Sequence, residues 1–255
     1  MDSYYRSNKV VERIILVGAP VLLIALWQIL GDAGVINGII VPTPLRIVQC
    51  FISQFASGKL VRDIGASIYR VLMGFFAGSI AGLVLGILCG LNKKINSVFA
   101  VVFGVLRPIP MIGMVPLMIL WFGIGETSKI IVIAIGTFWS VSMNTQSGIA
   151  NVSGRLFEVA RLLKKSKLVV LTQIVIPSAI PSIFTGLRLG ISMAWKTVLA
   201  AEMLGATKGI GHLIEYAREL AQPDKMFVGL LSIGLIGLLV DSIILAIQKK
   251  LIYWQ

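Results

Sequence analysis

Four ionisable side chains, Arg107, Arg188, Lys196 and Glu202, fall inside stretches that are otherwise apolar. A charge at bilayer depth costs about 2.5–3.5 kcal/mol even on the gentler insertion scales, so such residues mark either an ion pair or a wet passage for a polar solute. Arg188 lies near the start of its apolar stretch and is expected to snorkel to the adjacent surface. Lys196 is deeper: it either pairs with Asp241 or, with Arg107, lines a passage suited to an anion. Arg107, Met111, Trp195, Lys196 and Glu202 therefore form the candidate solute pathway. Catalysis has much less to stand on. The single histidine, His212, shows no base or nucleophile beside it, and Cys50 and Cys89 supply neither a metal-ligand cluster nor a disulfide framework. No G-x-x-x-x-G-K-[ST] sequence occurs. The chain thus has no phosphate cradle of its own, and any nucleotide hydrolysis belongs to another polypeptide.

The elements that must hold these residues are membrane helices. Of 255 residues, 57% are hydrophobic and 13% charged, and mean hydropathy is +0.93, well beyond the ~45–50% apolar content of soluble domains. The net charge of +12 is scattered among apolar segments rather than gathered on one face, which argues against nucleic acid as a partner. A helix needs roughly 20 apolar residues to cross a bilayer. Six stretches qualify: 14–30, 71–91, 95–125, 130–150, 183–204 and 226–247. The first is longer than a signal-peptide core and lacks a cleavage motif, so it is expected to be retained. The third contains Pro108, Pro110 and Pro116 and should be broken or kinked within the membrane.

Lys and Arg are unevenly placed between these stretches. With the N-terminus inside, twelve fall on the cytoplasmic side and seven opposite, which puts both termini in the cytoplasm. The longest cytoplasmic segment, 151–182, has a helical pattern of its own: Leu156, Val159, Ala160 and Leu163 recur at three- and four-residue spacing, with Arg161, Lys164 and Lys165 on the other side. Periodicity alone leaves open whether this helix lies on lipid or on a protein partner. In the second stretch Gly74, Gly78, Gly82, Gly86 and Gly90 recur every four residues, a stripe for close helix packing, either within the chain or between copies. Segment 210–220, with Glu215, Arg218 and Glu219, is either an amphipathic interfacial helix or a docking surface for an external protein.

The cytoplasmic segment resembles the permease loop of binding-protein-dependent ABC importers, whose pattern is Glu-Ala-Ala, three residues, Gly, nine residues, Ile, one residue, Leu-Pro. Glu158, Val159, Ala160, Lys164, Ile174, Ile176 and Pro177 fall at that spacing. Glu158, Ala160, Ile174 and Pro177 match, while Val159, Lys164 and Ile176 replace Ala, Gly and Leu. Further segments, "VPTPLRIV" (41–48), "SIYRVLMGFFAG" (67–78), "LRPIPMIGMVPLMILWFGIGETSK" (106–129) and "GLRLGISMAWKTVLAAEMLGATKGIGHLI" (186–214), are similar to the aliphatic-sulfonate, nitrate and taurine branch of these permeases.

The resemblance implies an all-α integral membrane protein with six transmembrane helices, both termini cytoplasmic, and a coupling helix between the fourth and fifth. It implies one membrane domain over 1–255, with a permease core over 65–250 that includes the coupling loop 151–182. The implied setting is a bacterial inner membrane, crossed several times. The partners would be a second permease copy, two ABC ATPase subunits, an extracytoplasmic solute-binding protein and the lipid bilayer. ATP and Mg would sit on the ATPase, with no cofactor on this chain and no enzymatic activity. Glu158, Val159, Ala160, Leu163, Lys164, Ile174 and Pro177 would couple to that ATPase, and an arginine at 158 or 160 would uncouple hydrolysis without unfolding the chain. Lys164, where the family has Gly, would bear about 1–2 kcal/mol of strain at positive φ, so the turn there is expected to shift. The implied cargo is an aliphatic sulfonate, taurine, nitrate or bicarbonate. A neutral vitamin precursor is the alternative within the class, and an ion-coupled secondary transporter the alternative outside it.

Overall fold

A computed structural model describes residues 18–251, and among them every regular element is helical. The described residues divide into two compact units, one formed by 18–61 with 213–231, the other by 62–212 with 232–251.

In the first unit, α1 (Gly18–Asp32) covers the described part of the first expected span; residues 14–17 of that span lie outside the described residues. Trp27 meets Phe227 with ring centroids 5.8 Å apart. The Gln28 side-chain oxygen accepts the Leu45 N–H at 3.0 Å and so fixes the first turn of α2 (Pro44–Ala56). Proline opens α2 because an N–H is not needed there and its φ is already helical. This amphipathic helix buries Ile47 and was not anticipated from hydropathy.

The second unit is built around α3 (Lys59–Leu91), α6 (Glu126–Ala150) and α9 (Ile176–Met203). At 1.5 Å per residue α3 extends about 50 Å. Its glycine stripe lies directly on α6. A Cβ at Gly78 would stand 2.2 Å from the Ala134 carbonyl oxygen, and one at Gly86 would stand 2.6 Å from Thr145 Cβ. Contacts advance in step from Gly74 on Ile133 to Gly90 on Ile149, so the two helices run parallel and the stripe is an intramolecular seam. On another face α6 meets α9 running the opposite way, with Gly148 against Ser182 and Gly136 against Thr197. α6 is therefore the central helix, which is why Val132, Ile133, Thr137 and Val141 are fully buried.

The proline-rich third stretch breaks as expected. α4 (Lys93–Leu106), capped by the Asn92 side chain, and α5 (Met111–Phe122) meet at 96°. Pro108 and Pro110 lack the N–H groups needed to continue α4 and crowd its last carbonyls. Beyond α6 come α7 (Gly154–Leu162) and the short α8 (Lys167–Val170), followed by a π-helical turn, Leu171–Val175, that runs straight into α9. Pro177 explains this turn, since its ring clashes with the carbonyl four residues earlier and the backbone widens to admit it. The expected loop thus ends near 166 rather than 182, and the fifth apolar helix is Lys167–Met203. α10 (Ile210–Glu219) and α11 (Pro223–Leu251) complete the chain. By length and apolarity α3, Lys167–Met203 and Pro223–Gln248 can each cross a membrane, and the bent pair α4–α5 adds a fourth.

Candidate functional site

The break between α4 and α5 forms one wall of a cavity of about 580 Å³, closed by one stripe of α6 and by Leu189 and Met193 of α9. Arg107 and Met111 both line it, so the structure brings together two of the five pathway candidates. Opposite them stand Trp139, Ser140, Met143 and Asn144 of α6. Trp139 is held edge-on to Phe103, with centroids 5.1 Å apart. A second cavity of about 440 Å³ shares Arg107, Pro108 and Met143 with the first and follows α4 to Asn96, whose Oδ1 accepts from Gln146 Nε2 at 2.6 Å. Neither cavity is lined by Asp or Glu.

The other three pathway candidates lie elsewhere. Trp195 is buried and donates from Nε1 to the Ile233 carbonyl at 2.9 Å, which makes it a link between α9 and α11. Lys196 lines a separate cavity of about 450 Å³ with Trp195 and Asp241. The carboxylate of Asp241 is taken by Arg188, which binds it with two parallel hydrogen bonds of 2.8 and 2.9 Å. Arg188 therefore pairs rather than snorkels, and of the two alternatives for Lys196 the pair with Asp241 does not form. A guanidinium fork matches a carboxylate better than an ammonium does.

Glu202 belongs to a buried network that hydropathy reading missed. Arg70 donates from Nε and Nη2 to Glu126 at 2.6 and 2.7 Å, and from Nη1 to Glu202 and to the Lys208 carbonyl, both at 2.7 Å. The Glu202 carboxylate also accepts from the Ser67 hydroxyl at 2.8 Å and the Gly211 N–H at 2.8 Å. Asp63 accepts from the Gly209 N–H at 3.0 Å. Gly209 has φ +124°, and a Cβ there would lie 2.4 Å from the Glu202 carboxyl carbon, so both backbone and space require glycine. The network ties α3, α6, α9 and the start of α10 together, and each buried carboxylate in it accepts at least one hydrogen bond. Its sequence signal was the spacing of Asp63, Ser67 and Arg70, which fall on one face of a helix and lead into the glycine stripe. His212 sits in the first turn of α10. Among the described residues no cluster could hold a metal ion.

In segment 151–182, α7 buries one side and exposes the other. Ala160 is 3% exposed and Phe157 packs on Ile149, Val175 and Ala179, whereas Leu156, Val159, Leu162 and Leu163 face outward with Glu158. Ala160 therefore seats against its own chain, not outward. An arginine at 160 would bring a further cation into a concavity of about 530 Å³ already ringed by Arg161, Lys165 and Lys167, so that substitution disturbs the packing of α7 instead of leaving the fold intact. Lys164 adopts φ +49°. Its N–H donates to Arg161 and that of Lys165 to Ala160, both at 3.0 Å, the paired bonds of a Schellman cap. The turn is not shifted: lysine takes the glycine conformation. Ile174 is half-buried in the π-helical turn, and Pro177 follows in the first turn of α9.

Long apolar helices around a donor-lined cavity are the build of a multi-pass membrane permease. The chain belongs to the family of binding-protein-dependent transport system inner membrane components, whose profile matches residues 82–253. It is 38% identical to a Bacillus subtilis chain assigned as an aliphatic sulfonates transport permease protein, over 92% of this chain and 86% of that one. It is 30% identical to the taurine transport system permease protein of Escherichia coli, over 94% and 89%. Its fold matches a solved inward-facing structure of the MetNI methionine ABC transporter with a TM-score of 0.68 at 17% identity, covering 76% of this chain and 97% of that one.

Proposed function

We propose that this chain is the transmembrane subunit of an ABC importer that carries an aliphatic sulfonate or a related small anion, such as taurine, nitrate or bicarbonate, into the cytoplasm of a bacterial cell. It acts as one membrane domain of six helices, with a core over 65–250 and both termini inside, in a dimer with a second, like permease. ATP and Mg are bound by two separate ATPase subunits, and cargo is delivered by an extracytoplasmic binding protein. The observation that carries this reading is α7: one side is anchored in the chain's own core, and the other presents Leu156, Val159, Leu162 and Leu163 with Glu158, a surface suited to a groove on a partner. The Lys164 cap ends α7, the π-helical turn continues α8 into α9, and Phe157 of α7 packs on Val175 and Ala179, so force applied at α7 reaches the helix that lines the cavity. Arg107 and Met111 line the proposed passage. Trp195 and Glu202 serve the packing of α9, and Lys196 stands apart from the cavity.

The test is ATP hydrolysis by the permease with its cognate ATPase in lipid nanodiscs, with and without binding protein loaded with an alkanesulfonate. Stimulation by the loaded protein alone supports importer and cargo together. A stable complex stimulated only by another cargo moves the substrate, and failure to bind any ATPase removes the importer reading.

A further inference from the structure

We infer that the permease itself carries a cargo site, at the junction of the two cavities beside Arg107, that accepts an anionic head bearing an apolar tail and discriminates against tailless anions. This rests on the importer reading above and assigns selectivity to residues of this chain as well as to the binding protein. Three observations carry it. Arg107 is shared by both cavities, is exposed in the proline break, and forms no ion pair among the described residues. With no acid in either lining, the junction has a net positive charge and excludes cations. On α6 the Ser140 hydroxyl and the second Nδ2–H of Asn144, whose first donates to the Ser140 carbonyl at 2.8 Å, add donors able to hydrogen-bond head-group oxygens.

The remaining wall is unusual for its sulfur. Met111, Met143 and Met193, three of the chain's nine methionines, come from the break, α6 and α9 to line a single cavity. Unbranched, polarizable side chains fit apolar groups of varied shape without a fixed pocket, which suits a family of alkyl chains rather than one molecule. Volume agrees, since 580 Å³ lies within the ~300–1,000 Å³ range of small-molecule sites and far exceeds what a planar inorganic anion fills. The geometry thus divides the labour: Arg107 selects charge, and the methionines select for a tail.

The experiment measures saturable binding of radiolabelled hexanesulfonate and methanesulfonate to the permease–ATPase complex in nanodiscs, without binding protein, with nitrate as competitor. Hexanesulfonate is expected to bind more tightly than methanesulfonate and to resist equimolar nitrate. Arg107→Gln should weaken both sulfonates roughly tenfold, as loss of a charge-assisted contact does. Met143→Gln, nearly the same shape but polar, should weaken hexanesulfonate while leaving methanesulfonate unchanged. Equal effects of Met143→Gln on both ligands, no effect of Arg107→Gln, or no saturable binding overturns the proposal. Stimulation of ATP hydrolysis by sulfonate-loaded binding protein, measured on the same wild-type complex, reports separately on the importer reading. Unchanged unfolding temperatures of both variants exclude a folding defect.

Discussion

Arg70 donates to two carboxylates at once, and only Glu202 is fully removed from solvent, while Glu126 is half exposed. Removing one partner of a buried pair leaves the other charge uncompensated, at a cost of about 3–5 kcal/mol. Arg70→Met should therefore lower stability by about that amount in thermal unfolding of the reconstituted protein. Arg70→Met combined with Glu202→Met should recover part of the loss, because the buried carboxylate has gone too; a double variant as unstable as the sum of the singles would mean the ion pair is not what holds these helices. Lys164 gives the opposite sign. A non-glycine residue in the left-handed region bears about 1–2 kcal/mol of strain, so Lys164→Gly should raise the unfolding temperature while retaining the Schellman cap. No rise would show that the lysine side chain offsets its backbone cost.

At the scale of elements, the seam between α3 and α6 decides how closely the second unit packs. A side chain at Gly78 has no room, with the Ala134 carbonyl 2.2 Å from its Cβ position. Gly78→Leu should thus force the helices apart and abolish assembly, read as loss of a monodisperse complex in size-exclusion chromatography. Gly113 in α5 has nothing within 4 Å of its Cβ position, so Gly113→Ala should be tolerated and stabilise by about 0.5–1 kcal/mol. Equal behaviour of the two variants would remove the seam argument. The period of four was plain in the sequence and established close approach. Its partner was not, because spacing records one face of one helix and says nothing of what meets it. Hydropathy likewise located helices at six apolar stretches but missed α2, an amphipathic helix of only 13 residues, and placed the start of the fifth helix 16 residues late at position 183 instead of Lys167. Polar residues of a helix outside the apolar window leave no hydropathy signal.

At the scale of the whole molecule, α7 is where a partner would be felt. Leu162 is 83% exposed at the end of that helix and touches nothing that the fold requires. Leu162→Glu should leave the unfolding temperature of the isolated permease unchanged and prevent co-purification with its ATPase; retained co-purification would move the docking surface off α7. The sequence by itself determined that the chain is helical and membrane-embedded and where its third apolar stretch breaks. These follow from composition, proline chemistry and short-range period, all of which are local. Only the tertiary structure decided that Arg188 rather than Lys196 holds Asp241, that Glu202 serves a buried lock with Arg70, and that Ala160 faces inward. Each depends on which side chains far apart in sequence are brought within about 3 Å, and one-dimensional spacing carries no such distances.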